Sequence, residues 1–99
     1  MAGYGQYCPV AKAAEILGEK WSILILRELC LADQTFNNLR RGMPFISPTL
    51  LSKRLKTLMT HDVIRRYEND SGVYYALTAA GFELKEMIMQ LGVWGQRWV

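Results

Sequence analysis

The sequence predicts a mainly α domain carrying a single β-hairpin, in the order α-α-α-α-β-β-α. Three observations carry that expectation. Apolar residues recur at helical spacing through the first sixty residues and again over the last twenty. Capping residues and prolines bound those segments. Between them, after His61, the pattern switches to period two around a cluster of turn formers. The 99 residues suffice for one domain with a single core, and no linker or internal repeat divides residues 1–99.

Pro9 suits the first turn of a helix, where its missing N–H would be unpaired anyway. Val10, Ala13, Ala14 and Leu17 then follow at helical spacing, and Gly18 closes this first helix. A second helix is expected from about Glu19 to Leu31. Trp21, Ile23, Leu24, Ile25, Leu26 and Leu29 make it apolar nearly all round, which belongs at a domain centre. Thr35 reads as the N-cap of a short third helix, Phe36 to Arg41, closed by Gly42 and not continued past Pro44. Ser47 followed by Pro48 starts a fourth, reaching about His61. Val63–Glu68 and Val73–Leu77 flank Asn69-Asp70-Ser71-Gly72, a hairpin signature whose turn formers supply a positive φ. Thr78 caps the last helix, with an apolar stripe of Phe82, Leu84, Met87, Ile88, Leu91, Trp94 and Trp98.

The charge is unevenly placed. Residues 40–66 hold seven basic side chains and one acid, +6, whereas the remainder is −3, within a net charge of +3. Concentrated positive charge on a folded unit points to a phosphate-backbone partner. The third and fourth helices, joined by the Gly42-Met43-Pro44 turn, have the helix-turn-helix layout in which the second helix enters the DNA major groove. Rotated at about 100° per residue, the fourth helix puts Leu50, Leu51, Leu55, Leu58 and Met59 on one side. Thr49, Ser52, Lys53, Lys56 and Thr57 fall on the other, without an acid among them. An ordinary solvated helix mixes Glu with Lys, so this side reads instead as a DNA-facing one, with Thr49, Ser52, Lys53 and Lys56 reading bases. Arg54, on the flank, and Arg40 and Arg41, ending the third helix, are assigned to phosphates. Arg65 and Arg66 alternate across a strand, so at most one faces DNA, and the pattern does not choose between them. With the hairpin as wing, the fold is a winged helix-turn-helix.

Other chemistry finds little support. No Gly-rich phosphate loop or Ser/His/Asp grouping stands out, so no enzyme and no cofactor are expected. One histidine and two distant cysteines do not supply a metal site. His61 fits a helix C-terminus better than a ligand set. Two cysteines suit a reduced, cytosolic protein rather than a disulfide scaffold. The longest apolar stretch, Ile23 to Leu26, is too short to cross a bilayer, and no secretory leader is expected. Cys30 reads as core. Trp94 and Trp98 with Tyr4 and Tyr7 suggest packing before an aromatic ligand pocket.

Several segments together resemble the HxlR-type winged helix-turn-helix transcriptional regulators, distant relatives of the MarR group. They are Cys8-Pro9-Val10, Gly18-Glu19-Lys20-Trp21 running into Ile23–Leu29, Phe36–Arg41, Ile46-Ser47, Leu51–Leu58 and Tyr75–Gly81. The resemblance implies a bacterial or archaeal regulator, cytoplasmic and associated with the nucleoid, that binds double-stranded operator DNA as a homodimer. It also implies that the first and last helices form the dimer contact, with Val10, Leu17, Met87, Leu91, Trp94 and Trp98 as its residues. Some relatives sense oxidants or electrophiles through a cysteine at the place of Cys8, the alternative being a small inert capping residue. A small-molecule or electrophile effector is therefore a candidate partner. Three positions depart from the family pattern. Asn38 stands where Glu often completes a capping box. Phe45 replaces a frequent Gly after Pro44 and is expected to act as an apolar plug. The Asp70-Ser71-Gly72 tip lacks a basic residue. A protein-interaction module without DNA binding is the second reading, since fold does not fix function.

Overall fold

In the computed structural model, which describes residues 8–99, five helices surround one hairpin. The elements are α1 (Pro9–Leu17), α2 (Ser22–Leu31), α3 (Phe36–Gly42), α4 (Pro48–Thr60), β1 (Ile64–Asn69), β2 (Gly72–Leu77) and α5 (Ala79–Trp98). This is the expected mainly α winged helix-turn-helix.

The predicted caps form. Thr35 Oγ1 accepts from the Asn38 N–H at 3.1 Å, and Ser47 Oγ accepts from the Leu50 N–H at 3.1 Å. Each satisfies one donor that helix geometry leaves unpaired. Asn38 does not reach back to complete a capping box; its Oδ1 accepts instead from Arg41. Thr78 does the most. Its hydroxyl accepts from the Gly81 N–H and lies 2.7 Å from the Asp62 carbonyl, which ties the start of α5 to the end of α4. Gly81 is required there, because a Cβ would collide with the Val63 carbonyl oxygen.

The second helix begins three residues later than expected. Trp21 has φ 84°, a left-handed conformation incompatible with a helical turn, so Glu19 and Lys20 form a tight corner and α2 starts at Ser22. That helix is central, but one of its faces reaches solvent. Ser22, Ile25, Leu26 and Leu29 are buried, whereas Leu24 and Leu31 are exposed. The core joins Ile25 and Leu26 to Leu39 of α3, to Leu51, Leu55 and Leu58 of α4, and to Ile64 of β1, all buried. Each such side chain contributes about 1.5–3 kcal/mol by leaving water.

The strands pair antiparallel from Ile64↔Leu77 to Asn69↔Gly72. Asp70 and Ser71 alone make the connection, braced by a 2.8 Å bond from the Ser71 N–H to Asn69 Oδ1. The positive φ falls on Gly72, at 133°. An isolated antiparallel bridge from Gln34 to Tyr75 adds one rung beside β2, outside the β1–β2 ladder. No period-two run marks Gln34, so only the assembled fold reveals it.

Candidate nucleic-acid interface

Helix α4 sits in the fold with the rotation its sequence requires. Leu51, Leu55 and Leu58 point into the core, while Leu50 and Met59 pack at its edge. Thr49, Ser52, Lys53 and Lys56 are exposed on the opposite side. Thr57 is half-buried and donates to the Lys53 carbonyl at 3.2 Å, so its hydroxyl is already engaged. The ammonium groups of Lys53 and Lys56 have no hydrogen bond or ion pair among the described residues. An outward face of two hydroxyls and two unpaired cations, with no acid between 49 and 57, has donors and charge to offer and nothing that repels phosphate.

The surrounding cations divide into two groups. Arg40 and Arg41 are exposed at the end of α3 and, with Asn37, Pro44 and Ile46, line a shallow depression beside the start of α4. Arg41 is steadied by donating to Asn38 Oδ1 at 2.7 Å. Asn37, an amide donor in the same depression, was singled out by no sequence signal. Arg54 departs from its expected phosphate assignment. Its Nε donates to the Lys20 carbonyl at 2.8 Å, its guanidinium stands 3.6 Å from Glu19, and its side chain is only 12% exposed. The physical reason is the corner at Glu19–Trp21, which presents an unpaired carbonyl that Arg54 caps. The turn between α3 and α4 holds a second departure. Phe45 is not a plug: it is 90% exposed, and Met43 and Ile46 on either side fill the core in its place.

On the wing, Arg65 and Arg66 lie on opposite faces, as alternation requires. Arg65 sits over the Tyr67 ring at 5.0 Å from its centre, and Tyr67 stacks on Tyr74 with 5.5 Å between centroids. The Tyr67 hydroxyl donates to Asp33 at 2.6 Å. That bond holds the phenol above the ordinary tyrosine range, with burial and the Asp33 charge acting in the same direction. The Arg66 guanidinium has no partner among the described residues.

A second surface lies away from this face. Val10, Ala13, Ala14, Leu17, Gly18 and Ile23 form an apolar trough with Met87, Leu91 and Trp94. Val10 is 76% exposed and Trp94 57%, and Met87, Leu91 and Trp98 are exposed as well. Leu17 differs, being half-buried against the core. Cys8, at the N-cap position of α1, is an exposed free thiol that makes no capping hydrogen bond. Cys30 is half-buried rather than fully in the core, and burial pushes its thiol up despite nearby Lys85. His61 is the exposed C-cap of α4. The aromatic grouping with Tyr4 and Tyr7 falls outside the described residues. Among the described residues, no cluster of His, Cys, Asp and Glu could hold a metal ion, and no helix is long and apolar enough to cross a membrane.

Comparisons with known proteins agree with this geometry. The family model of the HxlR-like helix-turn-helix matches residues 16–99. An uncharacterised HTH-type transcriptional regulator of Synechocystis sp., sll1512, is 35% identical over 98 residues, covering 96% of this chain and 73% of that protein. Among solved structures, a transcriptional regulator assigned to the MarR family from Porphyromonas gingivalis W83 superposes with a TM-score of 0.89 at 26% identity, covering 97% of both chains. The redox regulator HypR in its oxidised form reaches a TM-score of 0.85 at 27% identity, covering 91% of this chain and 96% of that one. The chain therefore belongs to the HxlR-like helix-turn-helix family, the DNA-binding transcriptional regulators of winged-helix fold.

Proposed function

We propose that the protein binds operator DNA as a homodimer, with α4 in the major groove and Thr49, Ser52, Lys53 and Lys56 at the base edges. Arg40 and Arg41 hold phosphates beside the groove, and Arg66, the unpartnered wing cation, reaches the neighbouring backbone. Arg54 and Arg65 act at one remove, Arg54 by fixing the corner before α2 and Arg65 by stiffening the wing. The observation that carries this reading is the acid-free outward face of α4. One copy offers few base contacts. Two copies joined through the trough of Val10, Leu17, Met87, Leu91 and Trp94, with Trp98 extending the contact along α5, would read half-sites roughly one helical turn apart, about 34 Å. Such a protein works in the cytoplasm, where the nucleoid is.

The regulatory input we propose is electrophilic or oxidative attack on Cys8. Its thiol is exposed at the start of α1, two residues before Val10 of the proposed dimer trough, so an adduct there would alter how two copies pack. The likeness to a redox regulator supports this reading.

The test is binding of a duplex selected from a random library, measured at several salt concentrations. Lys53→Ala should weaken binding to the selected duplex by about 1–3 kcal/mol while leaving Tm unchanged. Unchanged affinity would refute the base-reading assignment. A wild-type protein with neither affinity for duplex nor salt dependence would indicate a protein-interaction module instead.

A further inference from the structure

We infer that Phe45 is a specificity-determining residue that reads the C5-methyl group of a thymine at the edge of the half-site. The inference rests on the proposed docking of α4 in the major groove and adds a contact that neither charge nor hydrogen bonding supplies.

Four observations lead to it. First, Phe45 is 90% exposed, although a large apolar ring gains strongly from leaving water. Its neighbours take the interior places: Met43 is 2% exposed and Ile46 5%. Phe45 therefore adds nothing to the core of the monomer. Second, the ring is held out on a defined turn. The Ile46 N–H donates to the Met43 carbonyl at 3.2 Å, closing a four-residue turn with Pro44 at its second position and Phe45 at its third. Proline restricts the backbone there, and Phe45 keeps a negative φ, so no strain is stored. An aromatic side chain on a preset corner loses little freedom on binding. Third, Phe45 stands two residues before Ser47, the N-cap of α4. The N-terminal residues of a recognition helix are those that approach base edges.

Fourth, the surroundings select the occupant. Arg40, Arg41 and Lys53 are nearby in sequence, and no acid occurs between residues 34 and 61. A second copy of this chain would bring the same positive block against it, which repels. A polyanion is attracted, and within the major groove the one apolar group it displays on a base edge is the thymine methyl. Exposed Val10 of α1 and Met87, Leu91 and Trp94 of α5 line the separate trough, and Phe82 and Met89 line another depression on α5; Phe45 lines neither and stands on the cationic segment instead.

The experiment replaces each thymine of the selected duplex in turn with deoxyuridine, which differs only in lacking the methyl. Wild type, Phe45→Leu and Phe45→Ala are compared for affinity, Tm and sedimentation. Wild type should lose roughly three- to tenfold at one thymine per half-site, the order expected for one buried methyl group. Phe45→Ala should bind the thymine duplex and the deoxyuridine duplex alike, with unchanged Tm and unchanged association state. Phe45→Leu should retain part of the discrimination. The inference is overturned if no thymine methyl matters to wild type, or if Phe45→Ala keeps the same thymine-to-deoxyuridine ratio. A Phe45→Ala change in association state would likewise overturn it, in favour of a contact between copies. Wild-type protein that binds no duplex in a salt-dependent way would refute the docking of α4 itself, a result distinct from intact binding that ignores the methyl.

Discussion

Arg54 shows how a single side chain can change role between sequence and structure. From its place beside Lys53 it reads as one more cation for phosphate. In the fold it spans 34 positions to cap the Lys20 carbonyl, and it stands beside Glu19. The corner it holds includes Trp21 in the left-handed region, a conformation that persists only where neighbours impose it. Removing Arg54 leaves that carbonyl without its partner. Arg54→Ala should therefore cost about 0.5–1.5 kcal/mol in denaturant unfolding, the net worth of one solvent-accessible hydrogen bond. It should change the salt slope of DNA binding by well under the roughly one unit expected for a lost phosphate contact. A full unit lost with unchanged stability would return Arg54 to the phosphate group. Arg54→Lys should not rescue, because a lysine lacks the Nε–H that makes the bond.

At the scale of elements, α4 and the wing are held by different means. Helix α4 is fixed by its leucines, buried in the shared core, and by the Ser47 cap. Its outward face can therefore carry polar residues at no cost to folding. The wing has less to bury. Its outer face is braced by the chain of Arg65, Tyr67 and Asp33, anchored on the loop after α2. Because the hydrogen bond to Asp33 raises the Tyr67 pKa, the folded state holds that proton more tightly than the unfolded chain does. The contribution is thus complete below the ordinary tyrosine pKa and is lost as pH rises through the raised value. Tyr67→Phe should speed amide exchange in β1 and β2 at neutral pH and remove a step displaced above the ordinary tyrosine range from a tyrosinate absorbance titration. A hairpin equally protected in both proteins would show that the tether does not hold the wing.

Across the whole molecule, two surfaces of opposite character face different directions of use. The basic block of residues 40–66 carries +6 on a body that is otherwise −3. The α1–α5 trough exposes Val10, Met87, Leu91 and Trp94 together, and Trp98 is exposed further along α5. A contiguous apolar surface of that kind marks an interaction site. If it joins two copies, Leu91→Asp should place a charge in a desolvated contact and yield a monomer in sedimentation velocity. Affinity for a two-half-site operator should fall by roughly 100-fold or more, the order that linking two binding modules supplies. Affinity for a single half-site should hardly change. A Leu91→Asp protein that still sediments as a dimer would remove this trough as the joint.

Most of the architecture was open to reading along the chain because local physics determines it. Thr35, Ser47 and Thr78 cap helices through bonds to residues three positions away. The spacing of Leu51, Leu55 and Leu58 decides which side of α4 is wet, and Asn69–Gly72 makes the reversal between strands. Membership of the family and the acid-free face of α4 follow from the same short-range patterns. Other features depended on partners distant in sequence. The start of α2, the commitment of Arg54, the Gln34–Tyr75 rung, the Asp33–Tyr67 tether and the outward Phe45 all arise where separate segments meet. A capping or periodicity rule spans one or two turns of chain. Which carbonyl lacks a donor, and whether an aromatic finds room inside, is settled only when helices from opposite ends of the sequence close around the same core.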